Sequence, residues 1–378
     1  MNPYDFVPID TEHPPERRRP VWHHALKSAA TPASRLFSGH LYVTIKAETP
    51  LFIPDTEAPM QDPNNPAEHI YNNAGKYIIP GSSLKGLLRN VVETLCSGCL
   101  RMLHLPPGYE ERSIPSGFMG CQDNRNLCVA CRIFGMMSEG QRNAQVFLGK
   151  INIGDALANK ESLAIHGPIY TAILEGPKPR HQAFYLDADK RYIAGRKFYF
   201  HHHGRLTTAD RLLQIRNEPG RYRNQHIEPI DTGTEFNACI DFTNLEADEL
   251  AALLLAITLK PDMRHKIGYG KPIGLGSVRM TLAELRLVDY ATRYTAFRSG
   301  RGISSYNADE LTNLVHDQMA SFDEQVNAAW RRFYGQPALD HLHSIWGWQP
   351  DSLVVYSYPN RDWFEAHSQA RIADTWDL

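Results

Sequence analysis

The sequence predicts an α+β chain of the ferredoxin-like kind, carrying large loop insertions and a helical C-terminal extension. Three observations predict it. An alternating stretch, an apolar-striped helix and a second alternating stretch occur in that order, and the same order then returns, which is the split βαβ pattern. Long polar, Pro- and Gly-broken segments separate these units. In 378 residues, 42% hydrophobic against 22% charged content allows a proper core, in two domains or in one elaborated domain with an appendage.

In chain order, residues 1–38 read as an irregular arm with Pro14, Pro15, Pro20 and the run Arg17-Arg18-Arg19. His40–Leu51 alternates as the first strand. Residues 54–76 are a polar loop long enough to suggest either function or disorder. A helix over 83–95 follows, because Leu84, Leu87, Leu88, Val91, Val92 and Leu95 form one apolar stripe. A cysteine-rich insertion occupies about 96–135. Val146–Ile153 alternates as the next strand, and residues 164–203 hold short strands, including Ala183–Leu186 and Lys197–His203. Phe236–Phe242 is a further strand, Leu245–Leu259 a second striped helix, and Val278–Val288 the closing strand. These elements define a domain over 39–289.

Residues 290–378 differ in composition. They hold five of the six Trp residues, Trp330, Trp346, Trp348, Trp363 and Trp376, and 11 acidic residues against 7 Arg and no Lys. Ala308–Phe333 reads as helical. A small extra core packed on the main domain explains the Trp residues, and a docking surface for a neighbouring protein is the alternative.

Formal net charge is −2. Dedicated nucleic-acid binders are often strongly basic, so any RNA contact must come from local patches. The opening is Pro-rich and charged, unlike a signal peptide. The longest apolar run, Leu250–Leu259, is far short of the ~20 residues that span a bilayer. A soluble cytoplasmic protein with no membrane partner is expected.

Two motifs carry candidate chemistry. Ile79-Pro80-Gly81-Ser82-Ser83-Leu84-Lys85-Gly86-Leu87-Leu88-Arg89 reads as a strand end, a turn and a helix start bearing hydroxyls and a lysine. Helix starts offer free N–H groups and partial positive charge, which suit a phosphate. Lys85 and Arg89 are like charges one turn apart, a cost that an anionic partner would remove; a solvated face with a Ser cap is the plainer account. Arg264-His265-Lys266-Ile267-Gly268-Tyr269-Gly270-Lys271-Pro272-Ile273-Gly274-Leu275-Gly276 is a basic glycine loop entering a strand, where glycine permits close approach of a partner. It lacks the GK[ST] of a P-loop and precedes a strand rather than a helix, which excludes the dinucleotide fingerprint.

Five cysteines cluster as Cys96, Cys99, Cys121, Cys128 and Cys131, while Cys239 stands apart in a strand and is read as core. C-x2-C spacing in a cytosolic chain points to structural zinc rather than disulfides. Cys121, Cys128 and Cys131 supply three ligands; Cys99, Cys96 or His104 supplies the fourth. Arg216, Arg221, Arg223 and His226 make a further basic cluster. Arg196-Lys197-Phe198-Tyr199-Phe200 could stack bases or be a half-buried strand. His201-His202-His203 and His23-His24 are too thin as signals to carry catalysis.

The two motifs, in this order, resemble the RAMP superfamily of CRISPR-associated RNA-binding proteins, close to the backbone subunits of type III effector complexes. Asn2-Pro3-Tyr4-Asp5-Phe6-Val7-Pro8, Thr49-Pro50-Leu51-Phe52-Ile53-Pro54 and Gly195–His202 add to the resemblance, which covers roughly residues 1–290. It implies an RRM-like RAMP fold with finger-like projections. It also implies a zinc-binding insertion, for which Cys131-Arg132-Ile133-Phe134-Gly135 matches the family ending. The implied partners are guide RNA (crRNA), complementary target RNA and other effector subunits, with an accessory protein conceivable on the C-terminal extension. By resemblance, Ser82, Ser83, Lys85 and Arg89 would contact the guide. Lys266, Gly268, Gly270 and Lys271 would come second, and Arg221 and Arg223 third. Active relatives cut target RNA with an acid in the loop after the first strand, by attack of a ribose 2′-OH aided by Mg2+ or Mn2+. That loop holds Asp55, Glu57, Asp62 and Glu68, of which Asp55 and Asp62 are the candidates; whether the chain is an enzyme stays open.

Overall fold

The computed structural model describes residues 1–23, 35–55, 60–71, 74–101, 113–138, 144–174, 181–202, 212–295, 302–352 and 354–375. Glu57, His104, His203, His24 and Trp376, and with them the options placed on them, lie outside the described residues.

The main unit is α+β. In chain order it contains β1 (Phe37–Ala47), α1 (Gly81–Leu95), β2 (Ile151–Ile153), β3 (Ala156–Ala158), β4 (Glu235–Leu245), α2 (Ala247–Thr258) and β5 (Ser277–Val288). The sheet runs β5–β1–β4, with β2 and β3 on the outer side of β4, and every one of these pairs is antiparallel. Alternation decides its faces. Leu41, Val43, Ile45 and Ala47 of β1 point inward beside Phe236, Ala238, Ile240 and Phe242 of β4. The α1 stripe and the nearly all-apolar α2 cover that inner face and join the same core. The outer face carries His40, Tyr42, Thr44 and Lys46, none of them buried.

The start of α2 anchors the cysteine-rich insertion. Glu246 and Glu249 form a capping box. Arg132, almost fully buried, donates to Glu246 at 3.0 Å, Asp248 at 2.7 Å and Glu249 at 2.9 Å. Lys150 donates to Glu249 at 2.7 Å, with both side chains fully buried. Burial raises the Glu249 carboxyl above its ordinary value, and Lys150 and Arg132 oppose that rise.

Residues beyond 290 add β6 (Ile303–Asn307) on the edge of β5, then α3 (Ala308–His316), α4 (Glu324–Tyr334) and α5 (Pro337–Trp346). Helix α4 packs along α2, and Leu311, Trp330, Leu339, Leu342 and Trp346 lie in the core shared with the sheet.

Several local expectations change. The arm is not wholly irregular, because Tyr4–Val7 pairs antiparallel with Arg196–Tyr199. Val146–Ile153 is two strands: Val146–Leu148 pairs with Gly135–Met137, and only β2 joins the main sheet. Ala183–Leu186 is no strand; a 3-10 turn spans Gln182–Phe184. The helical tail breaks between α3 and α4, where Gln318 and Met319 take positive φ of 56° and 64°. Cys239 is not core. It falls on the outer-face side of the β4 alternation, between buried Ala238 and Ile240.

Candidate nucleic-acid interface

Helix α1 begins at Gly81, after Pro80, where the chain has no room for a side chain: a Cβ would lie 2.1 Å from the Ile153 carbonyl oxygen. The Gly81 N–H donates to the Asp155 carboxylate at 2.8 Å. A carboxylate of the chain itself therefore takes the first N–H, and the helix start is not a vacant anion site. Pro80, not a serine, is the cap. Ser82 is exposed, and Ser83 and Lys85 are partly exposed in the following turn.

Arg89 turns away from that surface. It donates to Glu93 at 2.8 Å, to the Gly135 carbonyl at 3.0 Å and to Cys131 Sγ at 3.4 Å. The like-charge cost expected with Lys85 does not arise, since Glu93 balances Arg89 one turn on. Arg196 completes the arrangement, reaching Glu93 at 2.9 Å and the carbonyls of Gly98 and Cys99. Both arginines brace the cysteine cluster.

That cluster is Cys99, Cys121, Cys128 and Cys131, all buried, with Sγ atoms within 4.8 Å of one another. Two edges measure 3.6 Å and 3.7 Å. Four thiolates about 2.3 Å from a tetrahedral zinc would sit about 3.8 Å apart, so the donor set fits such an ion. Cys99 rather than Cys96 completes the quartet. Beyond α1, Ser97 takes a φ of 46° and the chain doubles back at Gly98, where a Cβ would stand 2.7 Å from Glu93 Cα. Arg17 donates to the carbonyls of Gly117 and Met119, tying the N-terminal arm to the same insertion.

The glycine loop folds on itself. A Cβ at Gly268 would meet the Phe52 carbonyl oxygen at 2.5 Å, and one at Gly276 the Ile267 oxygen at 1.8 Å. Its glycines allow close internal packing. Lys266 is buried and donates to the Gly274 carbonyl at 3.1 Å and Ser277 Oγ at 2.9 Å. Lys271 donates to the Gly268 carbonyl at 2.6 Å. His201 is an internal strut between Ser277 Oγ and the Arg264 carbonyl, and burial drives its pKa far below the ordinary value.

These segments meet around a groove of about 560 Å³. Ser83, Gly86, Leu87 and Asn90 of α1 form one wall, and Lys266–Tyr269 with Lys271 the other. Lys197, Phe198 and Tyr199 supply the floor with Trp346 from α5, and Ile53–Pro54 close one end. Lys197 Nζ lies 3.6 Å from the Tyr4 ring centre and 4.7 Å from that of Tyr199. Burial and the Lys271 charge lower Lys197 to about 8, and burial lowers Lys266 and Lys271 too. No carboxylate pairs with any of the three among the described residues. Lys197 beside the Tyr4 and Tyr199 rings, with Lys271 near it, makes a site for an anion carrying an apolar part, while Lys266 is spent on Gly274 and Ser277. Trp346 comes from the acidic tail, and nothing in its sequence neighbourhood signals this place.

Other candidates lie elsewhere. Arg221 pairs with Glu218 at 2.6 Å on an exposed turn. Tyr222, between it and Arg223, accepts from Gln61. Asp62 is partly exposed and accepts from Asn64 and Asn65, which hold its carboxyl below the ordinary range. His226 Nδ1 meets the Asp62 carbonyl at 3.1 Å, so the basic segment and the acidic loop are neighbours. Asp55 directly follows Pro54 of the groove. No helix among the described residues is long and apolar enough to cross a membrane.

A family model described as the RAMP superfamily matches residues 44–279, more than half of the chain. No curated protein matches it.

Proposed function

The chain belongs to the RAMP superfamily, and from that premise we propose that it is a crRNA-binding backbone subunit of a type III-like CRISPR effector. One observation carries the reading. Lys197 and Lys271 stand together, without a carboxylate partner among the described residues, in a groove walled by the α1 start and the glycine loop. Phosphates held there would fix the strand's position and leave base edges available for pairing. Ser82, Ser83 and Lys85 extend the surface along α1, whereas Arg89 belongs to the cysteine centre. The strand order β5–β1–β4–β2 with both helices on one face supports the ferredoxin-like, RRM-like form of this fold. The four cysteines would hold structural zinc.

The test is a double substitution, Lys197→Glu with Lys271→Glu, in the full chain. RNA co-purifying with the wild type should fall at least about tenfold, as expected for lost charge-assisted contacts. Full RNA retention in a folded variant would overturn the reading.

A second reading has its own support. Asp55 follows a residue that lines the groove, and Asp62 is partly exposed beside the basic segment. Either could serve a Mg2+- or Mn2+-dependent attack by a ribose 2′-OH on target RNA paired to the guide. Regularly spaced cuts in complementary RNA that vanish in Asp55→Ala or Asp62→Ala, with guide retention intact, would establish it. Persistent cuts in both variants would remove these residues from the chemistry.

A further inference from the structure

The outer face of the sheet carries a cluster that the groove does not use. We propose that His40, Cys239 and Asp241 form a second, exchangeable site for a borderline divalent cation of the zinc class. The three donors are imidazole, thiol and carboxylate, and their ligand atoms lie within 4.8 Å of one another. That set suits zinc and cobalt better than magnesium or calcium, which prefer all-oxygen ligands.

Sheet register builds the site. Asp241 lies directly opposite His40 across the β1–β4 pair, and Cys239 precedes Asp241 by two residues on the same face. Rigid strands, not a loop, therefore set the spacing. His40 Nδ1 and Asp241 Oδ1 are 2.6 Å apart, and Cys239 Sγ is 3.6 Å from the same oxygen. A hydrogen bond joins His40 and Asp241. An entering ion would take the Nδ1 lone pair of neutral His40, whose proton would sit on Nε2, and would displace the Cys239 thiol proton to solvent. Three protein ligands leave a fourth position for water, as in an open rather than a structural zinc site.

Neighbouring groups limit the affinity. Arg286 is paired with His40 on the other side of β1, its guanidinium 4.9 Å from the Tyr42 ring centre. Glu284 engages Arg286 through two bonds of 2.6 and 2.8 Å, which offsets the charge without removing it. The side chains of His40 and Asp241 are 43% and 51% exposed, so an ion can enter and leave. Cys96 and Cys239 are the two cysteines outside the buried quartet, and among the described residues Cys239 has a histidine and a carboxylate within ligand distance.

Cobalt(II) titration of the zinc-loaded full chain tests the proposal by optical absorption. The wild type should gain a thiolate-to-cobalt charge-transfer band, and Cys239→Ser should lose it. His40→Ala and Asp241→Ala should each weaken cobalt binding at least about tenfold. All three positions face water, so thermal melting should match the wild type and report intact folding. Absence of the band in the wild type would overturn the site. A band that persists in Cys239→Ser would overturn it too, since it would mark exchange at the four-cysteine centre.

Discussion

Lys197 is held near a titration point by its surroundings, with a pKa of about 8. Its ordinary value is 10.5, so between these limits the unfolded chain binds more protons than the folded one. Stability of the RNA-free protein should therefore rise with pH through that window. RNA binding should move the other way, because phosphate favours charged Lys197 and deprotonation removes a contact. Affinity for single-stranded RNA is expected to fall between about pH 7 and about pH 9, and Lys197→Arg should flatten the fall. Equal slopes for wild type and Lys197→Arg would show that Lys197 does not carry the dependence. The neighbouring residues show how far sequence spacing reaches. Read as sequence, Arg89 is set against Lys85 and Glu93 at i+4 is passed over, and the contact of Arg89 with Cys131 needed the folded insertion. Nothing near Lys197 in sequence announces that Lys266 and Lys271 share its groove.

Among elements, α1, α2 and the cysteine insertion depend on one another. The start of α2 commits its three acidic side chains to Arg132, Lys150 and Arg18, and among them Glu249 is fully buried. Removing one partner of a buried pair leaves the other charge uncompensated. Glu249→Ala should destabilise the protein by about 3–5 kcal/mol, read by denaturant unfolding. A loss below about 1 kcal/mol would mean that water reaches Lys150 in the variant. The quartet makes a separate prediction. Purified protein should contain about one zinc per chain, and Cys121→Ser should lower that content and the melting temperature together. Zinc content unchanged in Cys121→Ser would remove that ligand. Three of the four ligands follow from C-x6-C-x2-C spacing. The fourth required the turn at Ser97 and Gly98, which spacing alone leaves open.

At the scale of the molecule, residues beyond 290 complete the core. Trp330 and Trp346 are almost fully buried, and Leu311, Leu339 and Leu342 join the cluster built on the sheet and α2. Deleting residues 290–378 would bare the outer side of α2 and remove one floor of the groove. The truncated chain should therefore be insoluble or expanded, checked by size-exclusion chromatography and hydrogen exchange across α2. A compact, RNA-binding truncation would show the tail to be an independent appendage.

The sequence by itself determined the repeated strand–helix–strand order, the stripe of α1, the apolar second helix and the clustering of cysteines. These depend on period and spacing along one stretch of chain, where 3.6- and 2-residue repeats decide which side chains face inward. Only the tertiary structure decided which charges are available and which are consumed. Arg89, Lys266 and Arg264 look alike as basic residues in a row of letters. Their environments differ because Coulomb and hydration energies depend on neighbours brought from distant segments. Trp346 of an acidic tail reaches a cationic groove only through the tertiary fold, and the register of β1 with β4 sets the outward-facing Cys239 beside a histidine and a carboxylate.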